Sequence, residues 1–322
     1  MGYNIENYRK VKETLEKSRT DALQKASERR GALHLSAPEI AAIDKALSST
    51  GMQLFRAATE GGEGLSDRIA AIKAEHEALR VRRASLLAEL GYPADYTEPT
   101  YACKRCNDTG FFEAKMCDCM KEALILEGIR SSGLGRLIDR QRFENFSLDY
   151  YKNAPEHHER AKYALQRTKA YAEEFGAEAK NLLLMGPTGL GKTHLSTALA
   201  RRVIERGFDV AYESVQDLLM DFEYDRFKSG YGENSKRAER YLGCELLILD
   251  DLGTEQTNQF VITSLYHLIN TRINQGKSTV VSTNLIGDRE LRERYGDRIC
   301  SRLLGEFEIL LLSGTDIRMQ KL

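Results

Sequence analysis

The sequence lacks three features that would place a protein in a membrane, in a secretory pathway or on nucleic acid through its overall charge. No stretch approaches the roughly 20 consecutive apolar residues that a membrane-spanning helix needs, and the first ten residues have no apolar signal core. Lys and Arg number 47 against 48 Asp and Glu, a net charge of -1, so attraction to a polyanion would need a local basic patch. These absences predict a cytoplasmic protein without membrane contact.

Cysteine is scarce, and four of the six cysteines lie close together. They form two pairs, Cys103-x-x-Cys106 and Cys117-x-Cys119. Thiols in the cytoplasm stay reduced, so metal binding is expected rather than disulfide formation. Two close pairs of thiolates are typical of a structural Zn²⁺ site, although the Cys-x-Cys pair is shorter than the usual spacing. An iron–sulfur cluster and four free thiols are the alternatives.

Residues 1–92 have a composition typical of helices, rich in Ala, Leu, Glu, Lys and Arg. Ser36 and Glu39 have the spacing of a capping box, which predicts a helix start. The glycines of residues 61–64 predict a turn, and apolar residues recur every seven positions over residues 72–86. We expect two or three helices packed as an antiparallel hairpin or short coiled coil, either as a docking module for another protein or as a bundle without a partner.

Short apolar runs alternate with amphipathic segments from residue 141 onward. The predicted strands are residues 182–185, 208–212, 245–249, 279–282 and 307–312, and the predicted helices are residues 193–206, 215–228, 257–275 and 288–303. Alternation of this kind indicates a mostly parallel sheet covered by helices on both faces. The expected organisation is a helical docking region (1–92), a zinc-knuckle module (93–122), a helical linker (123–140) and an α/β domain (141–322).

A glycine-rich motif follows the first of these strands and begins the next helix. It consists of Gly186, Pro187, Thr188, Gly189, Leu190, Gly191, Lys192 and Thr193, and it matches G-x-x-x-x-G-K-[ST] in full. Glycines allow backbone amides to curl around phosphates, and the helix start adds its positive dipole end. We expect Lys192 to contact the β- and γ-phosphates and Thr193 to ligate Mg²⁺, so the motif predicts a P-loop that binds Mg-ATP.

Two later strands end in polar side chains. Asp250 and Asp251 follow an apolar run about sixty residues after the P-loop. Phosphoryl transfer depends on positioning and on charge neutralisation around the metal. Asp250 is therefore predicted to hold Mg²⁺ through water, and Asp251 to orient or deprotonate the attacking water. Asn284 ends the next strand, where it would either hold that water or cap the following helix.

Arg298 and Arg302 lie four residues apart and therefore on one face of a predicted helix. Neither is close to the P-loop in sequence. An arginine that reaches the γ-phosphate of a neighbouring subunit would couple hydrolysis to assembly. The alternative is a surface salt bridge.

Together these motifs resemble those of bacterial replicative-helicase loaders of the DnaC/DnaI group, which share an AAA+ domain with IstB transposition helpers. The matching segments are residues 103–111, 142–146, 186–193, 247–253, 282–284 and 301–303. The resemblance implies an AAA+ P-loop ATPase domain that self-associates and holds single-stranded DNA, with the helices and zinc knuckle binding the replicative DNA helicase. It identifies Arg302 as an arginine finger with Arg298 as its companion. Arg318 would be a sensor arginine or a solvated tail residue.

Two other functions fit the same motifs. One is an IstB-like transposition helper that coats duplex DNA and recruits a transposase, and the other is an adaptor that binds ATP without hydrolysing it. The zinc module and the long helical front favour the loader. Asp251 replaces the Glu of many AAA+ sites, and its shorter reach predicts slow hydrolysis.

A surface for single-stranded DNA is expected in residues 222–231 and at Lys236, Arg237 and Arg240. Aromatic and basic side chains are mixed there, and aromatic rings stack on unpaired bases while cations contact phosphates. The alternative is that the apolar side chains of this segment belong to the core of an amphipathic helix.

Overall fold

The computed structural model describes residues 3–61, 64–228 and 237–320, and the structural statements below concern these residues. They form two compact units. One unit is Lys12–Met120, and the other combines Met1–Val11 with Lys121–Leu322. Within the described ranges, none of the helices has both the length and the apolar character that crossing a bilayer requires.

Helices account for most of the unit Lys12–Met120. They are α1 (Ile5–Ser36), which begins in the other unit, α2 (Pro38–Glu60) and α3 (Leu65–Glu89). Arg82 near the end of α3 pairs with Glu39 at the start of α2 at 2.9 Å, and Arg68 at the start of α3 lies 3.8 Å from Glu60 at the end of α2. The two helices are therefore antiparallel, which confirms the predicted hairpin.

The base of this hairpin combines apolar packing with a half-buried ion pair. Leu33, Ile40 and Leu87 form its core, each 3% exposed or less. The Nε of Arg83, on α3, donates to the Asp44 carboxylate at 2.6 Å. An arginine is tolerated in this half-buried position because a carboxylate compensates its charge.

The predicted capping box is wrong. Ser36 is the last residue of α1, and its hydroxyl donates to the carbonyls of Ala32 and Leu33 at 3.2 Å. The next helix begins at Pro38 with Ala37 as its N-cap, and no side chain caps it. Proline at the first helical position supplies the fixed φ of a helix start without needing a capping partner.

The end of the same unit holds a short antiparallel hairpin that consists of β1 (Phe111–Phe112) and β2 (Lys115–Met116). Glu113 and Ala114 form its turn, with φ of 49° and 60°. Two consecutive residues with positive φ are the signature of a type I′ turn, which matches the twist of the two strands. The hairpin thus separates the two cysteine pairs.

The larger unit contains a five-stranded, fully parallel sheet. Its strands are β3 (Asn181–Met185), β4 (Val210–Ser214), β5 (Leu246–Leu252), β6 (Ser278–Thr283) and β7 (Phe307–Leu311). Their order across the sheet is β4-β5-β6-β3-β7, so the first strand in sequence lies between the last two. All five predicted strands are confirmed, with ends that differ by up to three residues.

Helices cover both faces of this sheet. They are α4 (Asp118–Ser131, which begins in the smaller unit), α5 (Leu137–Arg140), α6 (Pro155–Glu174), α7 (Lys192–Glu205), α8 (Val215–Lys228), α9 (Arg237–Gly243), α10 (Gln259–Asn274), α11 (Asp288–Glu306) and α12 (Ile317–Gln320). Leu182 and Leu184 of β3 belong to the core on one face, and Leu183 and Met185 to the core on the other. The expected α/β fold is thereby confirmed.

Two helix predictions need correction. The helix expected at residues 288–303 is broken at Gly296, which has φ 78° and ψ 172°, because glycine adopts positive φ without steric cost. The helical linker expected at residues 123–140 is helical only at its two ends, in α4 and α5. Between them, a Cβ on Gly133 (φ 91°) would lie 2.2 Å from the carbonyl oxygen of Tyr212.

Candidate functional site

The P-loop lies between β3 and α7, at the carboxyl edge of the sheet where ligands of parallel α/β folds bind. The amide of Gly186 donates to the Thr283 carbonyl of the neighbouring strand at 3.2 Å. A Cβ on Gly186 would lie 2.4 Å from the Leu312 carbonyl oxygen, and one on Gly191 would lie 2.8 Å from the Phe146 ring. Glycine at these positions therefore permits the close packing that shapes the loop.

Lys192, the first residue of α7, is folded back into the loop. Its side chain is only 5% exposed, and its ammonium donates to the carbonyls of Gly186 and Pro187 at 2.7 and 2.8 Å. Burial lowers the pKa of Lys192, while the negative charges of Asp251 and Asp250 oppose that shift. The ammonium is therefore held at the mouth of the loop, beside the acidic pair.

A cavity of about 550 Å³ adjoins the loop, within the range of small-molecule sites. Its walls come from four parts of the larger unit. They are the P-loop and α7 start (Thr188–Thr193, His194), the ends of β5 and β6 (Asp251, Thr254, Asn284), the tail (Ile317, Arg318), and the segment before α6 (Arg140, Gln141, Asn145, Phe146, Ser147, Tyr150). The structure thus brings the predicted P-loop, Asp251 and Asn284 to one cavity.

The two adjacent carboxylates have different environments. Asp250 is 6% exposed, and it accepts hydrogen bonds from the Tyr212 hydroxyl at 2.6 Å and from the Ser282 hydroxyl. Asp251 lines the cavity. Its φ is 58°, and the register of β5 against β6 shifts at this point, so the chain turns the second carboxylate toward the P-loop side.

The environment of Asp251 also shifts its protonation. Burial raises the pKa of this carboxyl, and the negative charge of Asp250 raises it further, whereas Lys192 and Arg318 oppose the shift. A raised pKa is what a general base near neutral pH needs. The arrangement is chemically able to accept a proton from a water in the cavity.

Asn284 follows β6 and lines the cavity beside the loop after β5. A Cβ on Gly253, which has φ 110°, would lie 2.7 Å from the Asn284 side-chain oxygen. The alternative that Asn284 caps the next helix is wrong, because the N-cap of α11 is Gly287. The amide therefore belongs to the cavity wall.

Arg298 and Arg302 do not line this cavity of their own chain. Both lie on the part of α11 that follows the Gly296 break. Arg302 forms the surface salt bridge that the sequence allowed, with Glu306 at 3.3 Å, and Arg298 is exposed. Their role at a neighbouring subunit's nucleotide stays a prediction.

Arg318 lines the cavity and is also exposed to solvent, so its role as a sensor arginine stays a prediction beside the alternative of a solvated tail residue. The residues just before Arg318 pack on the P-loop, since the Ile317 amide donates to the Gly189 carbonyl at 3.1 Å. A Cβ on Gly189, with φ 78°, would lie 1.8 Å from an Asp316 carboxylate oxygen. The tail is thereby fixed against the loop that would hold phosphates.

Sequence reasoning missed the cavity wall formed by residues 140–150, although its residues 142–146 carried part of the family resemblance. The Tyr151 hydroxyl just beyond it donates to the Leu190 carbonyl of the P-loop at 2.8 Å. The Phe146 ring stacks on Tyr151 with centroids 5.8 Å apart and meets the His194 ring edge-on at 5.4 Å. The sequence feature that could have indicated this wall is the group of aromatic residues ahead of the P-loop.

The expected DNA surface is only partly described. Leu218 is buried, and Phe222 stacks on Tyr241 with centroids 6.4 Å apart, so these side chains pack with the core of the larger unit. The Arg226 guanidinium lies 5.5 Å from the Phe260 ring centroid. Residues 229–236, including the predicted Tyr231 and Lys236, and the side chains of Phe227, Lys228 and Arg237 lie outside the described part of the chain.

The four clustered cysteines meet in the unit Lys12–Met120. Their sulfur atoms all lie within 4.8 Å of one another, with Cys103 and Cys117 at 3.9 Å and Cys106 and Cys119 at 3.4 Å. Zn–S bonds of about 2.3 Å place the sulfurs of a tetrahedral site about 3.8 Å apart. The geometry therefore fits one zinc ion, and the short Cys-x-Cys pair contributes both of its sulfurs to the cluster.

An iron–sulfur cluster fits this set less well, because its four cysteines are divided among two or more iron atoms and so surround a larger group than one zinc ion. Hydrogen bonds from the backbone of Cys106 and Arg105 lower the pKa of the Cys103 thiol to about 7. Burial and the neighbouring thiols raise the pKa of Cys119. The Asp108 carboxylate supports the first knuckle, because it accepts from the Cys103 amide at 2.7 Å. Bound zinc would cross-link this small module.

Comparison with known proteins adds three findings. Replicative helicase loader DnaC of Buchnera aphidicola subsp. Acyrthosiphon pisum is 26% identical over 175 residues, which cover 53% of this chain and 68% of that protein. A putative ATP-binding protein in an insertion sequence of Mycobacterium tuberculosis is 28% identical over 150 residues, which cover 44% of this chain and 57% of that protein. A crystal structure of the DnaC helicase loader, at 22% identity and a TM-score of 0.48, matches 55% of this chain and 99% of that one.

A family model also matches, over residues 136–321. This stretch is more than half of the chain, and it contains the P-loop, the acidic pair, Asn284 and the tail that packs on the loop. The model describes IstB-like ATP binding proteins, which agrees with a cavity built around a P-loop. The chain belongs to the family of IstB-like ATP-binding proteins.

Proposed function

We propose that this chain is a cytoplasmic ATPase that loads the replicative DNA helicase onto single-stranded DNA. The observation that carries the proposal is the cavity that brings Lys192, Asp251, Asn284 and Arg318 together. It occurs in a chain that is 26% identical to a protein named replicative helicase loader. Hydrolysis of ATP in this cavity would time the release of the helicase.

The proposal gives each phosphate-binding residue a role. Lys192 would turn its ammonium from the carbonyls of Gly186 and Pro187 to the β- and γ-phosphates. Thr193 would ligate Mg²⁺, which neutralises phosphate charge when bound. Asp250 would orient a water of that ion, since Tyr212 and Ser282 fix its carboxylate.

The hydrolytic step would use the two polar groups at the ends of β5 and β6. Asp251 would accept a proton from the attacking water, a role that its raised pKa supports. Asn284 would hold that water, and Arg318 would contact the phosphates from the tail. The short reach of Asp251 supports slow turnover, which suits a timing switch.

The remaining catalytic residues would come from a neighbouring copy. Arg298 and Arg302 lie off the cavity of their own chain, with Arg298 exposed and Arg302 half-buried on α11. A side-by-side assembly would bring Arg302, with Arg298 as its companion, to the nucleotide of the next subunit. An arginine in that position stabilises the charge of the transition state.

The test of the loader proposal is size-exclusion chromatography of the full chain with the replicative helicase of its host. We expect the chain and the helicase to elute together when ATP is present. In Lys192→Ala this co-elution should no longer depend on the nucleotide. Lys162→Ala is the matched control, because this lysine is exposed on α6. Failure to co-elute with either ATP or ADP would contradict helicase loading.

A second function, help in transposition, is favoured by one finding. The matching mycobacterial protein belongs to an insertion sequence. This function predicts binding to duplex DNA and to a transposase instead of a helicase. Comparison of turnover with duplex and single-stranded DNA separates the two, because the loader predicts stimulation by single strands. No measurable turnover under any condition would instead support an adaptor that only binds ATP.

A further inference from the structure

A buried carboxylate in the loop after β5 has no part in the chemistry described so far. Glu255 lies three residues beyond the end of β5 and is only 5% exposed. A carboxylate in such a place is costly unless other groups satisfy its oxygens. The groups that do so come from two different parts of the larger unit.

One partner belongs to the loop that forms part of the cavity wall. The Gly253 amide donates to Glu255 Oε2 at 3.0 Å. Gly253 packs so closely on Asn284 that a Cβ would lie 2.7 Å from the side-chain oxygen of Asn284. Asn284 and Thr254 both line the cavity. Glu255 therefore fixes the loop that carries this side of the nucleotide site.

The other partners lie on α11. The Tyr295 hydroxyl donates to Glu255 Oε1, and Tyr295 is only 1% exposed. Arg294 donates from Nη2 to the backbone carbonyl of Glu255, and its Nε lies 3.9 Å from Oε1, so the guanidinium compensates the buried negative charge. Two consecutive residues of α11 are thus joined to the loop after β5.

This contact holds α11 directly before the break at Gly296, where φ is 78° and ψ is 172°. Glycine has no side chain to limit these two angles, so packing on either side of the break must set how the two helical parts are oriented. Ile299 packs the second part into the core, and Glu255 holds the last residues of the first part. Arg298 and Arg302 lie on the second part, so their position depends on this contact.

We propose that Glu255 is a positioning residue that links the nucleotide cavity of one chain to the arginine pair that this chain offers to its neighbour, an inference that rests on the proposed action between subunits. Its two oxygens hold one group on each side, the Gly253 amide and the Tyr295 hydroxyl. Close-packed protein interiors transmit small displacements. Loss of the Tyr295 bond should therefore impair turnover at the neighbour's nucleotide more than at the chain's own.

The test uses mixtures of full chains in which only one kind of interface can hydrolyse ATP. A Lys192→Ala chain supplies the arginine without an intact P-loop, and an Arg302→Ala chain supplies the P-loop without the arginine. Tyr295→Phe is placed in one chain or in the other, since phenylalanine keeps the ring and removes only the hydroxyl. Tyr163→Phe makes the same change at an exposed tyrosine of α6 and is the control. Phosphate release is measured in mixtures shown to co-assemble.

We expect Tyr295→Phe in the Lys192→Ala chain to lower the turnover of the mixture about tenfold, a change within the range of one lost hydrogen bond. In the Arg302→Ala chain the same substitution should lower turnover less, because Glu255 keeps its bond on the cavity side. Glu255→Ala in the Lys192→Ala chain should lower turnover at least as much as Tyr295→Phe, since the cavity of that chain is already inactive. The control should change turnover in neither chain.

No loss from Tyr295→Phe in the Lys192→Ala chain, or an equal or greater loss in the Arg302→Ala chain, would overturn the role of Glu255 while leaving action between subunits intact. The mixture of Lys192→Ala with Arg302→Ala, without a further change, tests that action separately. If this mixture regains no turnover, the proposed action between subunits fails, and the role of Glu255 fails with it.

Discussion

Among single residues, Asp251 combines an unusual backbone with an unusual charge environment. Its φ of 58° lies in the left-handed region, which costs an ordinary residue free energy but is tolerated by Asp and Asn. Burial and Asp250 both disfavour its ionised form. Local strain and unfavourable charge of this kind are often kept at sites of function.

This environment predicts opposite effects of Asp251→Asn on activity and stability. Since burial raises the folded-state pKa, the folded state binds the proton more tightly than the unfolded state. The stabilisation that comes from this tighter proton binding is complete when the pH is below the pKa of Asp251 in the unfolded state. It is lost as the pH rises through the pKa of Asp251 in the folded state. At neutral pH, Asp251→Asn should therefore raise the melting temperature, and in acid the difference should disappear.

The same variant should bind ATP but lose turnover, because asparagine cannot accept the proton. Thermal melts across pH and a phosphate-release assay test both statements. Asp21→Asn, at an exposed position of α1, is the control. Undiminished turnover in Asp251→Asn would exclude Asp251 as the base.

Among the elements, α11 owes its two-part form to one glycine. Gly296 has φ 78°, whereas Gly305 of the same helix has no positive φ, and neither has an obstacle within 4 Å of a built Cβ. Gly296→Ala should destabilise the protein by about 1 kcal/mol through backbone strain. Gly305→Ala should stabilise it by up to about 1 kcal/mol through helix propensity. Chemical denaturation measures the free energy of unfolding of both variants. An equal change of this free energy in the two variants would contradict the break at Gly296.

The zinc module makes its own prediction. Protein purified without chelator should contain one zinc ion per chain, and Cys103→Ser should lose it, because three thiolates form an incomplete cage. Cys300→Ala, at a buried cysteine outside the cluster, should keep the metal. Elemental analysis that finds neither zinc nor iron in the unaltered protein would reject the site.

At the scale of the whole molecule, the proposed active site needs two chains. Arg302→Ala should keep its ATP affinity but lower turnover by about 10³-fold where chemistry limits the rate. Arg289→Ala is the matched control, because it removes a similar salt bridge from α11. Mixtures of Arg302→Ala with Lys192→Ala should regain part of the turnover, since one interface then combines an intact P-loop with an intact arginine. No recovery in mixtures shown to co-assemble would contradict action between subunits.

The sequence could predict those features that depend on residues close together in the chain, and it could not predict those that depend on tertiary contacts. The P-loop is contiguous, and its strand and helix follow from the residues beside it. Gln141 reaches the cavity only through tertiary contacts, so its neighbours in sequence did not predict that position, and Arg318 was expected at the nucleotide only through the family resemblance. The capping box failed because Ser36 fits either a helix start or a helix end, and packing selected the end.

The function proposed for this chain depends on the binding of Mg-ATP by the loop from Gly186 to Thr193. Isothermal titration with ATP and Mg²⁺ tests it in the unaltered protein, in Lys192→Ala and in the exposed control Lys162→Ala. We expect the unaltered protein and the control to bind one ATP per chain, and Lys192→Ala to bind none while keeping its circular dichroism spectrum. Equal affinity in Lys192→Ala would contradict the assignment of the site.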